Sequence, residues 1–285
     1  MDVTGHSCSR EKPERPFRLG TTSFIFPDAI VPNVKRLGRC FDEIELLVFE
    51  SRPEAVLPSP AEVRELGVLS RDLDVSYNIH LPVDISLTDE DPGRRIRGID
   101  TLVRVMDLFS PLNPTTHTLH LDMDRAILTP VVDPVRLRAW QDRADDSLAR
   151  LCNTIPDPGL VSIETLDYPF GHLDGLIPRH GLSVCIDAGH LIRRRYPMAS
   201  LFDQYDDRIP IIHLHGVDFS RNPPRDHQGL DKTPDNALRE TLLLLERFTG
   251  VLSLEVFNAP NLIASIRTLE RFWRLCGHEP FPSFS

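Results

Sequence analysis

The segment Ile211–Asp218, read IIHLHGVD, carries two histidines at the end of an apolar, β-branched run that Gly216 breaks. This is the pattern of a buried strand that delivers imidazoles to its C-terminal edge. Nine residues past the break comes Arg225-Asp226-His227-Gln228-Gly229, polar and loop-like. A lone histidine in such a place is most often a hydrogen-bonded rim residue. Here the feature repeats, because other apolar runs end on His80, His120, Glu164, Asp187 (with His190 just beyond) and Glu255. A carboxylate directly after an apolar strand is costly to bury unless it is paired or metal-bound. Imidazoles mixed with carboxylates, without a cysteine among them, suit Zn²⁺, Mn²⁺ or Fe²⁺. The set exceeds what one ion needs, so two or three divalent ions bridged by a carboxylate are expected. Such ions lower the pKa of a bound water and neutralise phosphoryl charge.

Within the set, His213 reads as a metal ligand. Period-2 alternation puts His215 on the same face, where it reads as a catalytic or substrate-binding group behind the ligands. Glu164 and Glu255 are catalytic candidates as well as ligands, since paired carboxylates can act as acid and base. Phe24 near the end of the first strand candidate, and Glu50, Asp167 and Tyr168 just past later ones, are expected to contact substrate.

The elements that must position these residues alternate strictly. Strands are expected over Phe17–Phe26, Phe41–Phe49, Val75–Ile79, Thr116–Leu121, Leu160–Ile163, Leu182–Ile186, the Ile211 run and Val251–Leu254. Helical stretches fall between them. The clearest are the capping box Ser59-Pro60-Ala61-Glu62, the Asp133-Pro134 start, the Thr233-Pro234 start and the final Leu262, Ile266, Leu269, Trp273 face. Eight strand-then-helix units imply a parallel sheet. In a chain near the typical length of about 250 residues they imply a (β/α)8 TIM barrel, whose strand ends converge on one mouth. An open doubly wound sheet fits less well, because no glycine-rich loop follows the first strand. Residues 1–16 read as a loose polar tail and 17–285 as one barrel domain.

The 285-residue chain has a formal net charge of −10, which argues against a partner with a long phosphate backbone. No apolar run approaches the roughly 20 residues of a membrane span. Five scattered cysteines, none with CxxC spacing, point to reduced thiols in a cytoplasm.

Taken in order, the polar strand endings resemble the xylose-isomerase-like barrel superfamily, which includes endonuclease IV-type enzymes and sugar isomerases and epimerases. The resemblance covers the chain from about Phe17 onward. By the endonuclease pattern, His80, His120 and Glu164 would hold one metal. Glu164, Asp187, His213 and Glu255 would hold a second, and His190 with Asp226 and His227 a third. The sequence departs at that third site, where Asp226 and His227 are adjacent rather than spaced. Within the superfamily, the wording LGTTSFIFPDAIVPNV, LLVFES, IHLPVDI, IETLDYPF, IDAGHL, IHLHGVD and LEVF is similar to the cobamide-remodelling phosphodiesterases (CbiR type). This implies hydrolysis of the phosphoribosyl bond in the cobamide nucleotide loop, so that the lower ligand can be exchanged. The main rival is a one-metal sugar or sugar-phosphate isomerase or epimerase using Glu164, Asp187, His213 and Glu255. A DNA repair endonuclease and a non-enzymatic cobamide- or sugar-binding barrel are weaker rivals.

Overall fold

The computed structural model describes residues 15–48, 57–124, 127–128 and 132–275. Eight parallel strands close into a barrel: β1 (Arg18–Thr22), β2 (Glu43–Leu47), β3 (Ser76–His80), β4 (His117–Leu119), β5 (Val161–Glu164), β6 (Ser183–Asp187), β7 (Ile211–Leu214) and β10 (Val251–Leu254). The barrel closes where Arg18 pairs with Val251 and Thr21 with Leu254. Two further strands, β8 (Gly216–Asp218) and β9 (Arg225–Gln228), form an antiparallel hairpin over the mouth. The segment expected to be a loop at Arg225 is therefore half of a hairpin. It carries no β-branched residue that would have marked it as a strand.

Helices wrap the barrel. They are α1 (Ile30–Leu37), α2 (Pro60–Leu73), α3 (Pro92–Phe109), α4 (Pro134–Thr154), the short α5 (Leu176–Arg179), α6 (Ala188–Arg194), α7 (Met198–Gln204), α8 (Asp235–Leu244) and α9 (Ala259–Leu275). Their starts follow the sequence signals. Ser59 and Glu62 form the reciprocal capping box of α2, and Asp133 accepts from the amides of Val135 and Arg136 at α4. Thr233 departs from expectation. Its hydroxyl caps nothing and instead accepts from the Val217 amide at 2.7 Å, tying β8 to the start of α8. Among the described residues no helix is long and apolar enough to cross a membrane.

The strands alternate, but neither face is wet. Ile44, Leu46, Tyr77, Ile79, Val184, Ile186, Ile212, Leu252 and Leu254 belong to one large buried core. The Tyr77 hydroxyl, donating to the Leu66 carbonyl of α2 at 2.9 Å, shows that this face meets the helices. The other face lines a polar barrel interior, where branched apolar side chains are usual. Glu43 is fully buried there and accepts from Ser76, Asn78 and Thr115 at 2.7–2.8 Å, with Arg18 also paired to it. The Glu43 carboxylate is thus satisfied, as a buried polar group requires.

Cys40 is disulfide-bonded, while Cys152 and Cys185 are free. The expectation of uniformly reduced thiols fails at Cys40, because linear spacing does not reveal which cysteines the fold brings together.

His117 gives this barrel a pH-sensitive position. It is only 4% exposed, and burial pushes its pKa down to about 4 against a smaller pull from the Leu160 carbonyl. Between pH 6.5 and about 4 the unfolded chain takes up a proton that the folded chain refuses. Stability is therefore lost as pH falls through that window, by about 3 kcal/mol for this residue. Urea denaturation at pH 7 and pH 4.5 is expected to show a smaller acid loss in His117→Leu than in wild type. Equal losses would remove His117 as the cause.

Candidate metal centre and active site

The strands carry a ring of ligand atoms to one end of the barrel. His80 closes β3, Glu164 closes β5, Asp187 closes β6, His213 lies in β7 and Glu255 follows β10. His120 lies one residue beyond β4, and His190 lies in the first turn of α6. Four groups result, each placing one potential ligand atom per residue within 4.8 Å of the others. They are His80, His120 and Glu164; Glu164, Asp187, His213 and Glu255; Glu164, Cys185 and His213; and His190, His215 and His227.

Glu164 is the hinge of this arrangement. Its Oε2 lies 2.9 Å from His120 Nε2 and 3.3 Å from His80 Nε2. Its Oε1 faces His213 Nδ1 at 3.6 Å. His213 Nδ1 also lies 3.3 Å from Glu255 Oε2. Asp187 accepts from the His190 amide at 2.7 Å, capping α6, and the same oxygen lies 3.2 Å from His215 Nε2.

The electrostatics follow from packing carboxylates and imidazoles together in the dry interior. Burial opposes charge on every member, yet the pairing outweighs it. His120 and His213 hold the Glu164 carboxyl well below its ordinary value, and His213 and His227 lower Glu255. In return, Glu164 raises His80 to about 9 and Asp187 raises His215 to about 9, against burial in both cases. His227 goes the other way, because burial and the charge on His215 both lower it.

The donor set fits divalent cations. Asp187 Oδ2, Glu255 Oε2 and His213 Nδ1 are buried and make no hydrogen bond. Orphaned atoms converging from three strands are what bound ions would satisfy.

The structure brings His80, His120, Glu164, Asp187, His190, His213, His215, His227 and Glu255 together. It does not bring in Asp226, whose carboxylate ion-pairs with Arg193 of α6. His227 interrupts the regular strand with its left-handed backbone, and its ring joins the cluster while the Asp226 carboxylate turns to Arg193. His215 takes the third position beside His190 and His227, with its ring centroid 4.1 Å from that of His227. His227 adopts a left-handed backbone with φ of 50°, and its amide reaches His215 Nδ1 at 3.1 Å. Such a conformation is uncommon for a residue with a side chain and here turns the ring toward the mouth.

The expected substrate contacts divide. Tyr168 is buried, with its hydroxyl donating to the Leu121 carbonyl at 2.6 Å and its ring against Trp140. It packs the barrel wall. Asp167 is engaged by both guanidinium nitrogens of Arg194 at 2.7–2.8 Å and lies 3.8 Å from His190 Nδ1, so it orients ligand-bearing α6. Phe24 is 45% exposed and meets Phe257 edge-on, and the Phe257 ring lies tilted against His227 with centroids 4.9 Å apart. Glu50 lies outside the described residues.

Sequence reasoning passed over Phe257, Cys185 and Glu45. Cys185 lies two residues before Asp187 on β6 and so shares its inward face. Glu45 is buried and lies 2.9 Å from His213 Nε2.

Gly189 explains how α6 approaches so closely, since a Cβ there would be driven into the His215 ring. Gly189→Ala is expected to lose about 1–3 kcal/mol of stability and to push His215 away from Asp187. Thermal denaturation beside an activity assay checks this, and a fully active variant of wild-type stability would contradict the packing.

The sequence profile of the xylose isomerase-like TIM barrel family matches residues 31–274. A search of curated proteins gives no match. Among solved structures, a D-tagatose 3-epimerase-like protein superposes with a TM-score of 0.70 at 15% identity, over 92% of this chain and 98% of that one. A 3-keto-D-glucoside 4-epimerase from E. coli gives 0.67 at 18% identity, over 91% and 100%. A D-psicose 3-epimerase gives 0.63 at 15% identity, over 91% and 99%.

Proposed function

Since the chain belongs to the xylose isomerase-like TIM barrel family, we propose that it is a divalent-metal-dependent phosphodiesterase acting on the nucleotide loop of a cobamide. The observation that carries this reading is the sharing of Glu164 between ligand groups, with a further group of imidazoles joined through the Asp187–His215 contact. One-ion chemistry needs only Glu164, Asp187, His213 and Glu255, and leaves five inward histidines without a metal role. The cobamide itself comes from the sequence resemblance.

Bound ions would supply Lewis acidity, neutralising phosphoryl charge and making water acidic. The chain's residues supply the rest. Glu164 turns one oxygen to His80 and His120 and the other to His213, fixing the spacing of the two halves. Asp187 orients His215 through the 3.2 Å contact to Nε2, the His227 amide donates to the other ring nitrogen, and the His227 ring lies beside it at the mouth. Phe24 and Phe257 give the mouth an aromatic wall that suits a flat heterocyclic base. The −10 charge favours a small phosphodiester over a nucleic acid strand.

The named neighbours favour a second reading, a sugar or sugar-phosphate epimerase, and back it more directly than the first. At 15–18% identity their likeness establishes the fold alone. In this reading Glu164 and Glu255, with oxygens within 4.8 Å of each other, work as the acid–base pair on a carbon beside a carbonyl.

Anaerobic incubation of metal-loaded protein with a complete cobamide separates the two, with His120→Ala as control and products resolved by chromatography and mass. Release of an α-riboside with a phosphorylated cobinamide, lost in the variant, is the expected result. An intact cobamide under Zn²⁺, Mn²⁺ and Fe²⁺, with ketose epimerisation by the same preparation, would overturn the first reading in favour of the second.

A further inference from the structure

The ligand set of His213 is fixed from below as well as from above. Glu45 stands on β2, fully buried, and reaches across the barrel axis toward β7. Its Oε2 accepts from the Ser253 hydroxyl at 2.8 Å, and its Oε1 lies 2.9 Å from His213 Nε2. The other ring nitrogen, Nδ1, faces Glu255 and Glu164 at 3.3 and 3.6 Å. The imidazole is therefore clamped between one carboxylate below and two above. Ser253 pairs with His213 in the β10–β7 register, so the hydroxyl that orients Glu45 sits beside the histidine that Glu45 faces.

A neutral imidazole has one N–H and one lone pair, and only the lone pair can hold a cation. We infer that Glu45, oriented by Ser253, is a positioning residue that keeps the proton of His213 on Nε2 and so presents the Nδ1 lone pair to the metal centre. This rests on the metal-centre reading above but not on the choice between phosphodiesterase and epimerase. The two alternatives for Glu45 are a structural filler of the polar interior and a metal ligand. Its reach to the far ring nitrogen argues against the second, because His213 stands between it and Glu255. Against the first, Glu43 one layer below already has its own satisfied network, whereas Glu45 Oε1 and His213 Nε2 are buried 2.9 Å apart and neither has a hydrogen-bond partner of its own, so each is the one polar group the other faces at that distance.

The test compares wild type with Glu45→Gln and Glu45→Leu. Glutamine keeps a carbonyl oxygen for Nε2–H and can donate its amide to Ser253, whereas leucine keeps only volume. Two readouts are taken: Zn²⁺ and Mn²⁺ affinity by calorimetry, and the nitrogen-15 shifts of His213, which distinguish the two tautomers. Loss of an outer hydrogen-bond partner to a metal-binding histidine typically weakens the metal about 10–100-fold. Glu45→Leu is expected to show that loss with a mixed tautomer, and Glu45→Gln to recover the Nε2–H form and most of the affinity. A leucine variant that folds, binds the ions as wild type does and keeps the Nε2–H tautomer would overturn the proposal. Wild-type protein that takes up no divalent ion would overturn the metal centre itself, a failure visible before any variant is compared.

Discussion

Glu164→Gln is expected to lower turnover by on the order of a thousandfold or more and to reduce bound divalent metal by more than one ligand's worth. Each Glu164 oxygen serves a different group, Oε2 toward His80 and His120, Oε1 toward His213. An amide of the same shape keeps the volume, but it replaces one acceptor with a donor and removes the negative charge. The imidazoles that face it then lose the partner that holds them. The barrel itself should survive, since the strand pairing of β5 to β4 and β6 is independent of that side chain. Turnover and metal content measured beside a thermal midpoint check the claim. A variant that keeps full metal content and activity would show that Glu164 bridges nothing.

Stripping the protein of divalent cations should produce the second large effect, and its size should depend on pH. Without cations, protons on the imidazoles balance the buried carboxylates, with His80 and His215 raised from 6.5 to about 9. A group whose folded pKa is raised contributes stability that is complete below its unfolded value and lost as pH rises through the folded one. The ion-free protein should therefore lose stability between pH 6.5 and about 9, on the order of 3 kcal/mol for one such histidine. The loaded protein carries cations in place of those protons and should show little of that slope. Denaturation of chelator-treated and reloaded protein at pH 6.5 and pH 9 measures the gap, which is expected to widen with pH. A gap that stays constant would mean that the imidazoles do not carry the balancing charge.

The barrel was readable because buried parallel strands appear in sequence as short apolar runs, and those of β3, β5, β6 and β10 stop on His80, Glu164, Asp187 and Glu255, which enter the mouth. Glu164, Asp187 and Glu255 announced themselves by directly following apolar residues, Ile163, Ile186 and Leu254, with no turn between. What sequence concealed was orientation. Asp226 and His227 are neighbours on a loop-like stretch, and only their contacts show that one turns to Arg193 while the other joins His215. Tyr168 follows a strand as the site residues do, yet its hydroxyl satisfies a backbone carbonyl in the wall. Glu45 alternates with Ile44 and Leu46 in the manner of a strand with one solvated face. The closed barrel buries that polar face, so its role emerged only from its distance to His213. Cys185 is one of five scattered cysteines in the sequence, and the inward face it shares with Asp187 is a consequence of strand phase that composition does not carry.

The most direct measurement of the central claim, a centre for more than one ion organised by Glu164, is metal stoichiometry. Wild type and His120→Ala would be stripped, titrated with Zn²⁺ or Mn²⁺, dialysed and analysed for metal per chain. At least two equivalents in wild type, with one lost in His120→Ala while the group of Glu164, Asp187, His213 and Glu255 stays filled, is the result predicted. A single equivalent in both proteins would contradict it and leave a one-ion centre of the kind the epimerase reading requires.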